Sequence, residues 1–185
     1  MESNIQNLLN SCYLGKQSSC DSYCYSNSTT AKGTCDYSAD GIDVTDFYGK
    51  MVEDVYFNVG TGDSTYKTAA NYYIQEIATH ATSTSKIGLM YASDWGYAIE
   101  GFTGVLGSGG SPQNSSDKNW LFSNGYEWTM SVHSSSYPLA VYSYGYLHNA
   151  SASTGYAARP VLYLKSDVYV VSGTGTKVDP YRIGM

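Results

Sequence analysis

The spacing of apolar residues changes once along this chain, near His80, and that change restricts the fold class. Before it, apolar positions step by three and four. Ile5, Leu8, Leu9 and Cys12 predict a short amphipathic helix over about residues 4–13, with Ser3 to cap it and Gly15 to stop it. Val44, Phe47, Tyr48, Met51, Val52 and Val55 predict a second helix, capped by Asp43 or Thr45. Tyr66, Ala69, Ala70, Tyr73, Ile74, Ile77 and Ala78 form the clearest stripe, with Asp63 or Ser64 as its cap. Both stripes are assigned to the core. After His80 the runs are short. The apolar run from Ile87 to Ala92 ends at Ser93 and Asp94, which suit the start of a single helical turn through Tyr97 and Ala98. Glu127 to Ser131 reads as a strand with Trp128 and Met130 on one face. Leu139–Tyr142 and Tyr146–His148 flank a hairpin turn at Ser143–Gly145. Val161–Leu164 and Val168–Val171 are further strands, and Gly173–Thr176 is the turn before a closing Pro180–Ile183. Amphipathic helices in the N-terminal half followed by short antiparallel strands with long loops in the C-terminal half imply an α+β domain rather than an alternating α/β one. Loops at 101–119 and 149–157 are long for a compact domain, a length that often carries function.

The surface of such a domain must be finished with uncharged polar groups, because only 14% of the 185 residues are charged. Ser, Thr, Asn, Gly and Tyr supply them, a composition typical of secreted and cell-surface proteins. The net charge of −6 and the lack of a basic stripe argue against nucleic acid as a partner. Cys12, Cys20, Cys24 and Cys35 all fall in the first fifth of the chain and read as two disulfides, with three pairings open. The spacing C-x7-C-x3-C-x10-C has no CxxC knuckle and no nearby histidine, which disfavours zinc. They hold an irregular segment over 14–42. No apolar run approaches a membrane span, so no membrane insertion by this chain is expected. The opening Met-Glu-Ser follows no leader, and the composition implies that one has been removed.

Motifs for chemistry are sparse. No HExxH, GxSxG or phosphate-binding loop occurs, and the histidines His80, His133 and His148 are scattered. Asp94, Glu100 and Glu127 could serve glycoside hydrolysis, but nothing selects them. Neither an enzyme activity nor a cofactor or metal is expected. Trp95, Trp120 and Trp128 read as core anchors, Trp120 being the one candidate for sugar stacking. Asp117 and Asn119 beside it only faintly resemble a calcium site. Arg159 reads as a structural cation pairing Glu127 or Asp94. The sequons at Asn27, Asn114 and Asn149 matter only in a glycosylating host.

The second half resembles C-type-lectin-like domains of bacterial and phage surface proteins. The residues that carry the resemblance are Ile87-Gly-Leu-Met-Tyr-Ala-Ser-Asp94, Trp128-Thr-Met-Ser131, the Ala140–Leu147 hairpin around Gly145, and Gly155-Tyr-Ala-Ala-Arg-Pro-Val161. The tail through Gly173-Thr-Gly-Thr176 and Asp179-Pro-Tyr181 is similar to endings of secreted bacterial members. This family shares its fold with the formylglycine-generating enzymes, whose reactive cysteines lie in the C-terminal half, where this chain has none. It also includes the variable proteins of diversity-generating retroelements. The resemblance covers about Ile87 to Ile183, and the N-terminal half matches the family less well; with the helix and cysteines read above, the chain divides into an N-terminal helix and disulfide-rich segment over 1–42 and a C-type-lectin-like ligand-binding domain over 43–185. The resemblance implies a binding face between Trp128 and Arg159. The 20 tyrosines, with Ser, Gly and Asn, match the composition of antibody binding loops. Tyr142, Tyr144 and Tyr146 share one strand parity while Val141 and Leu147 take the other, so the rings are expected to face outward. His133, Tyr137, Tyr142, Tyr144, Tyr146, His148, Asn149 and Tyr156 are the expected contact residues, beside Ser134, Ser135 and Ser136. The expected partner is a protein or glycan on another cell or a host surface. The alternative is a pilus or phage tail-fibre subunit whose Tyr face packs against its own copies.

Overall fold

The computed structural model describes residues 4–20, 35–78, 84–107, 118–134, 137–176 and 178–185. Cys24, His80, Asp117, Ser135, Ser136 and the sequons at Asn27 and Asn114 lie outside them. The chain combines helices with antiparallel pairing, as an α+β domain does.

Helix α1 (Asn4–Leu8) runs into a π-turn over Leu9–Tyr13 and ends at Leu14, next to the expected stop at Gly15. Its docking is set by one amide. Asn10 Nδ2 donates to the Ile87 carbonyl at 2.7 Å, while Asn10 Oδ1 accepts from the Lys86 and Ile87 amides. The side chain thus satisfies backbone groups at the edge of strand β1 (Ile87–Leu89), which would otherwise lie open. Cys12 and Cys20 are joined in a disulfide, and Cys20 exchanges backbone bonds with Cys35, itself disulfide-bonded.

The second stripe folds differently from its spacing. Helix α2 is a single turn, Phe47–Lys50, with Asp46 rather than Asp43 or Thr45 as its cap. A side chain at Gly49 would meet the Asp43 carbonyl at 2.1 Å, so the chain folds tightly back here. Phe47 and Tyr48 are exposed. Met51 and Val52 are buried instead through extended chain, Val52 bridging Leu164 and Val55 bridging Ser85.

Helix α3 (Ala69–Ile77) is capped by Thr68, whose hydroxyl accepts from the Asn71 amide at 3.3 Å. It turns Ala69, Tyr72 and Glu76 inward; of the stripe expected in the core, Tyr66 and Ala69 pack there, whereas Ala70, Tyr73, Ile74, Ile77 and Ala78 are exposed. The reason is local. Glu76 finds three donors inside, from Ser93 and Ser131, so burial satisfies its carboxyl rather than stranding it. Helix α4 (Ala92–Tyr97) starts before the expected cap at Ser93 and Asp94: Tyr91 is its N-cap, and Asp94, inside the first turn, accepts from the Tyr91 amide at 2.8 Å.

The main sheet has the order β4-β3-β2-β5, formed by β2 (Glu127–Ser134), β3 (Tyr137–Val141), β4 (Leu147–Asn149) and β5 (Ala157–Ala158). Its pairs are antiparallel except β2 with β5, which is parallel, a departure from the expected antiparallel set. Alternation buries it on both faces. Leu139, Val141 and Leu147 pack against Trp95, Ile99, Leu106 and helices α3 and α4. Trp128 and Ala140 pack against Leu9, Leu14, Ile87 and Leu89, so the N-terminal helix and the sheet share one core. Met130 joins Trp128 there, as its parity requires. Strand β6 (Pro160–Leu162) pairs with β1. Strands β7 (Tyr169–Ser172) and β8 (Arg182–Gly184) form a separate ribbon whose β7 side chains are all exposed.

Candidate functional site

Rings gather at one end of the main sheet. The register places Glu127, Val141 and Leu147 in one row across β2, β3 and β4. One residue beyond this row, at the same end of the antiparallel strands, stand Tyr126 before Glu127, Tyr142 after Val141 and Tyr146 before Leu147. The Tyr142 amide donates to the Tyr146 carbonyl and the Gly145 amide to the Tyr142 carbonyl, both at 2.8 Å. Gly145 closes this hairpin with φ +83°, a conformation other residues adopt only with strain. The tip is fastened from below: the buried indole of Trp95 donates to the Gly145 carbonyl at 3.2 Å. Beside it, the Leu147 amide donates to the Leu106 carbonyl at 2.7 Å.

The rings form a continuous set. Tyr142 stacks on Tyr146 at 4.9 Å and lies 5.5 Å from Tyr144. It meets Tyr126 edge-on at 4.8 Å and His148 edge-on at 5.1 Å. Tyr126 stacks on Tyr156 at 5.0 Å, and Tyr156 rests on Trp128 at 4.8 Å. Such contacts fix ring orientation beyond what area burial alone would do. Trp128 is buried, Tyr142, Tyr146, His148 and Tyr156 are half-buried, and Tyr144 is 54% exposed. The cluster therefore begins in the core and ends in solvent.

Its electrostatics are those of neutral groups. The Tyr126 phenol is held below the ordinary tyrosine value by hydrogen bonds with the Tyr142 and Ser143 hydroxyls. Tyr142 is pushed up to about 12, first by its bond to Tyr126 and then by the charge that ionised neighbouring phenols would carry. Burial among the rings lowers His148, which keeps its imidazole neutral at neutral pH, and raises Tyr156. The leading causes of these shifts are burial, hydrogen bonds and neighbouring phenols. His148 Nε2 is buried without a hydrogen-bond partner among those residues.

Five of the expected contact residues thus meet: Tyr142, Tyr144, Tyr146, His148 and Tyr156. Two others meet elsewhere through Tyr66. Its ring packs on His133 at 4.8 Å, and its hydroxyl donates to Asn149 Oδ1 at 3.1 Å. Tyr137 is exposed at the start of β3 and joins neither ring group among the described residues. Tyr126 and Tyr66 escaped the sequence reading. Tyr126 shares strand parity with Trp128, which was the available signal; Tyr66 lies in the stripe assigned to a helix.

The scaffold residues behave as read. Arg159 holds Glu127 in a fork, Nε to Oε2 at 3.0 Å and Nη2 to Oε1 at 2.8 Å, and Nη2 also donates to the Leu121 carbonyl. Ser123 donates to the same carboxylate. Trp95 and Trp128 are core anchors, but Trp120, read as a third, is 76% exposed instead. Asn119 is buried and structural, donating to the Trp95 carbonyl and accepting from the Leu121 amide. No group of three or more His, Cys, Asp or Glu among the described residues is placed to hold a metal ion. No helix among them is long and apolar enough to cross a membrane.

No protein-family model, curated protein or solved structure matches this chain.

Proposed function

We propose that this chain is a secreted or surface-displayed binding domain of C-type-lectin-like build, whose work is recognition rather than turnover. The observation that carries the reading is the single ring cluster of Tyr126, Tyr142, Tyr144, Tyr146, His148 and Tyr156, standing at the end of a sheet buried on both faces. Stiff amphipathic rings lose little entropy on contact, and each brings a hydroxyl that can donate or accept. The hairpin beneath them is held by Gly145, the Trp95 indole and the sheet ladder, so the surface is formed before a partner arrives. The absence of formal charge among the rings suits a neutral glycan or an uncharged protein patch on another cell. The Cys12–Cys20 disulfide accords with an extracellular setting. Diversification by a retroelement belongs to the same proposal, and a near-repeat of the Trp128–Arg159 coding segment beside a reverse transcriptase gene is its signature.

The experiment replaces Tyr142, Tyr144 and Tyr146 together by Ser. The labelled protein is applied to a panel of bacterial and animal cells and to a glycan array. Loss of two or more central aromatic contacts weakens binding at least roughly 30-fold. A triple variant that folds, as judged by circular dichroism, and still binds like the parent refutes the assignment.

A further inference from the structure

The bend that leads into β2 holds the chain's one Asn-Gly pair, Asn124-Gly125. It lies between two anchored points. On one side the Ser123 hydroxyl donates to the Glu127 carboxylate that Arg159 grips. On the other the Tyr126 carbonyl accepts from the Ala157 amide at 2.9 Å, and the Tyr126 ring stacks on Tyr156 and meets Tyr142. Between them Asn124 is exposed and stands at φ +57°, in the left-handed region.

Gly125 carries no side chain to shield its nitrogen, and the space beside it is open: a Cβ built there would meet only Ser123 Oγ, at 3.7 Å. Among the described residues, neither the Gly125 amide nor the Asn124 side chain takes part in a hydrogen bond. The chain's one Asp-Gly pair, Asp40-Gly41, is exposed as well but is built the other way. There the Gly41 amide donates to the Tyr37 carbonyl at 2.8 Å, and a Cβ would strike the Tyr13 carbonyl at 2.5 Å. An amide held by a carbonyl keeps its proton and cannot turn towards the side chain before it; a free one can. We infer that Asn124 is a spontaneous modification site, converted with age to isoaspartate at the root of the ring cluster. Base takes the proton of the Gly125 amide, and the nitrogen attacks Asn124 Cγ. A C–N bond forms, the bond from Cγ to Nδ2 breaks, and ammonia leaves with the proton. Water then opens the five-membered imide. Opening at the former backbone carbonyl gives isoaspartate, with the chain routed through Cβ and Cγ; opening at Cγ gives aspartate. Either product adds one negative charge, and isoaspartate also lengthens the main chain between Ser123 and Tyr126 by one carbon.

The full chain, held at mildly alkaline pH and mapped by mass spectrometry with an isoaspartyl methyltransferase as label, tests this. Asn124 is expected to convert before every other asparagine. Gly125 lies outside the left-handed region and has room, so Gly125→Ala keeps the fold by circular dichroism and is expected to slow conversion at least roughly tenfold. Urea is expected to speed isoaspartate formation at Asp40 far more than at Asn124, because unfolding releases an amide that only Gly41 had bound. Near-UV circular dichroism of the aged protein is expected to depart from that of the fresh protein, whereas Asn124→Asp, with the charge but not the longer chain, keeps the parent spectrum. An Asn124 that outlasts the other asparagines overturns the inference. So does a Gly125→Ala protein that converts at the parent rate, or an equal effect of urea at both positions. An aged protein rich in isoaspartate whose near-UV spectrum is unchanged overturns the link to the rings.

Discussion

Replacing Glu76 tests how this fold came to bury a carboxyl. Glu76 Oε1 accepts from the Ser93 amide at 3.2 Å and from the Ser131 hydroxyl, and Oε2 accepts from the Ser93 hydroxyl at 2.5 Å. Ser131 Oγ in turn accepts from the Ala92 amide at 2.9 Å. One side chain on α3 therefore ties the start of α4 to strand β2. Glu76→Ala removes the acceptor for a buried amide and two buried hydroxyls. The hydroxyls can rotate to other acceptors, but the amide cannot, and a void is left. Orphaning costs about 1–3 kcal/mol per group, so a total of about 3 kcal/mol is expected. For a chain of this size that lowers Tm by roughly 6–12 °C. Glu76→Gln removes the titration, keeps one accepting oxygen and puts a donor in place of the other, from which a rotated serine hydroxyl can accept. Burial, the largest cause, raises the Glu76 carboxyl above its ordinary 4.5, opposed by the Ser131 and Ser93 bonds and assisted by Asp94. The folded state thus holds this proton to higher pH than the unfolded chain does. The resulting stability is fully present below the ordinary glutamate value and falls as pH rises towards the folded-state value. Urea unfolding from about pH 4 to about pH 8 measures it. The parent is expected to lose stability relative to Glu76→Gln as pH increases. A difference between the two that is flat with pH, or that moves the other way, refutes the reasoning.

Three further outcomes follow from the scaffold. Arg159→Ala leaves the buried Glu127 carboxylate with the Ser123 hydroxyl alone. Because Arg159 is about a third exposed, roughly 2–3 kcal/mol is expected by chemical denaturation, less than for a fully buried pair. Gly145→Ala forces a side chain onto φ +83° and is expected to cost about 1 kcal/mol; it should weaken target binding although every ring remains. Cys12→Ser with Cys20→Ser opens a loop with sequence separation 8. Loop-closure entropy then predicts a loss of about 2.5 kcal/mol, read as a lower midpoint in urea.

Features set by near neighbours in sequence were legible. The existence of the short helix α4 around Asp94, the hairpin at Gly145 and the parity of Trp128 with Met130 all depend on contacts a few residues apart. The pairing of Arg159 with Glu127, one of two carboxylates named for it, followed from the scarcity of charge. The face of α3 was not legible. A hydropathy pattern places Glu76 in water, and only Ser93 and Ser131, 17 and 55 residues away, make its burial tolerable. The stretch from Val44 to Val55 misled in the same way. Only Met51 and Val52 of its apolar set are buried, and the bridges of Val52 to Leu164 and Val55 to Ser85, distant partners, impose extended chain on a helical spacing. Of the ring cluster, the turn around Gly145 was legible, but Tyr142, Tyr144 and Tyr146 lie in the connection between β3 and β4, where strand alternation does not set a side chain's face; Tyr142 and Tyr146 are half-buried and only Tyr144 is exposed. Tyr126 joined them only once the register set β2 beside β3.

The hairpin under the rings has a further implication. Its course is dictated by a glycine, by an indole reaching up from below and by main-chain bonds to Leu106. None of these involves the side chains of residues 142, 144 or 146. Shape and chemical identity are therefore encoded at different positions, so selection can rewrite what this tip touches without relearning how to build it.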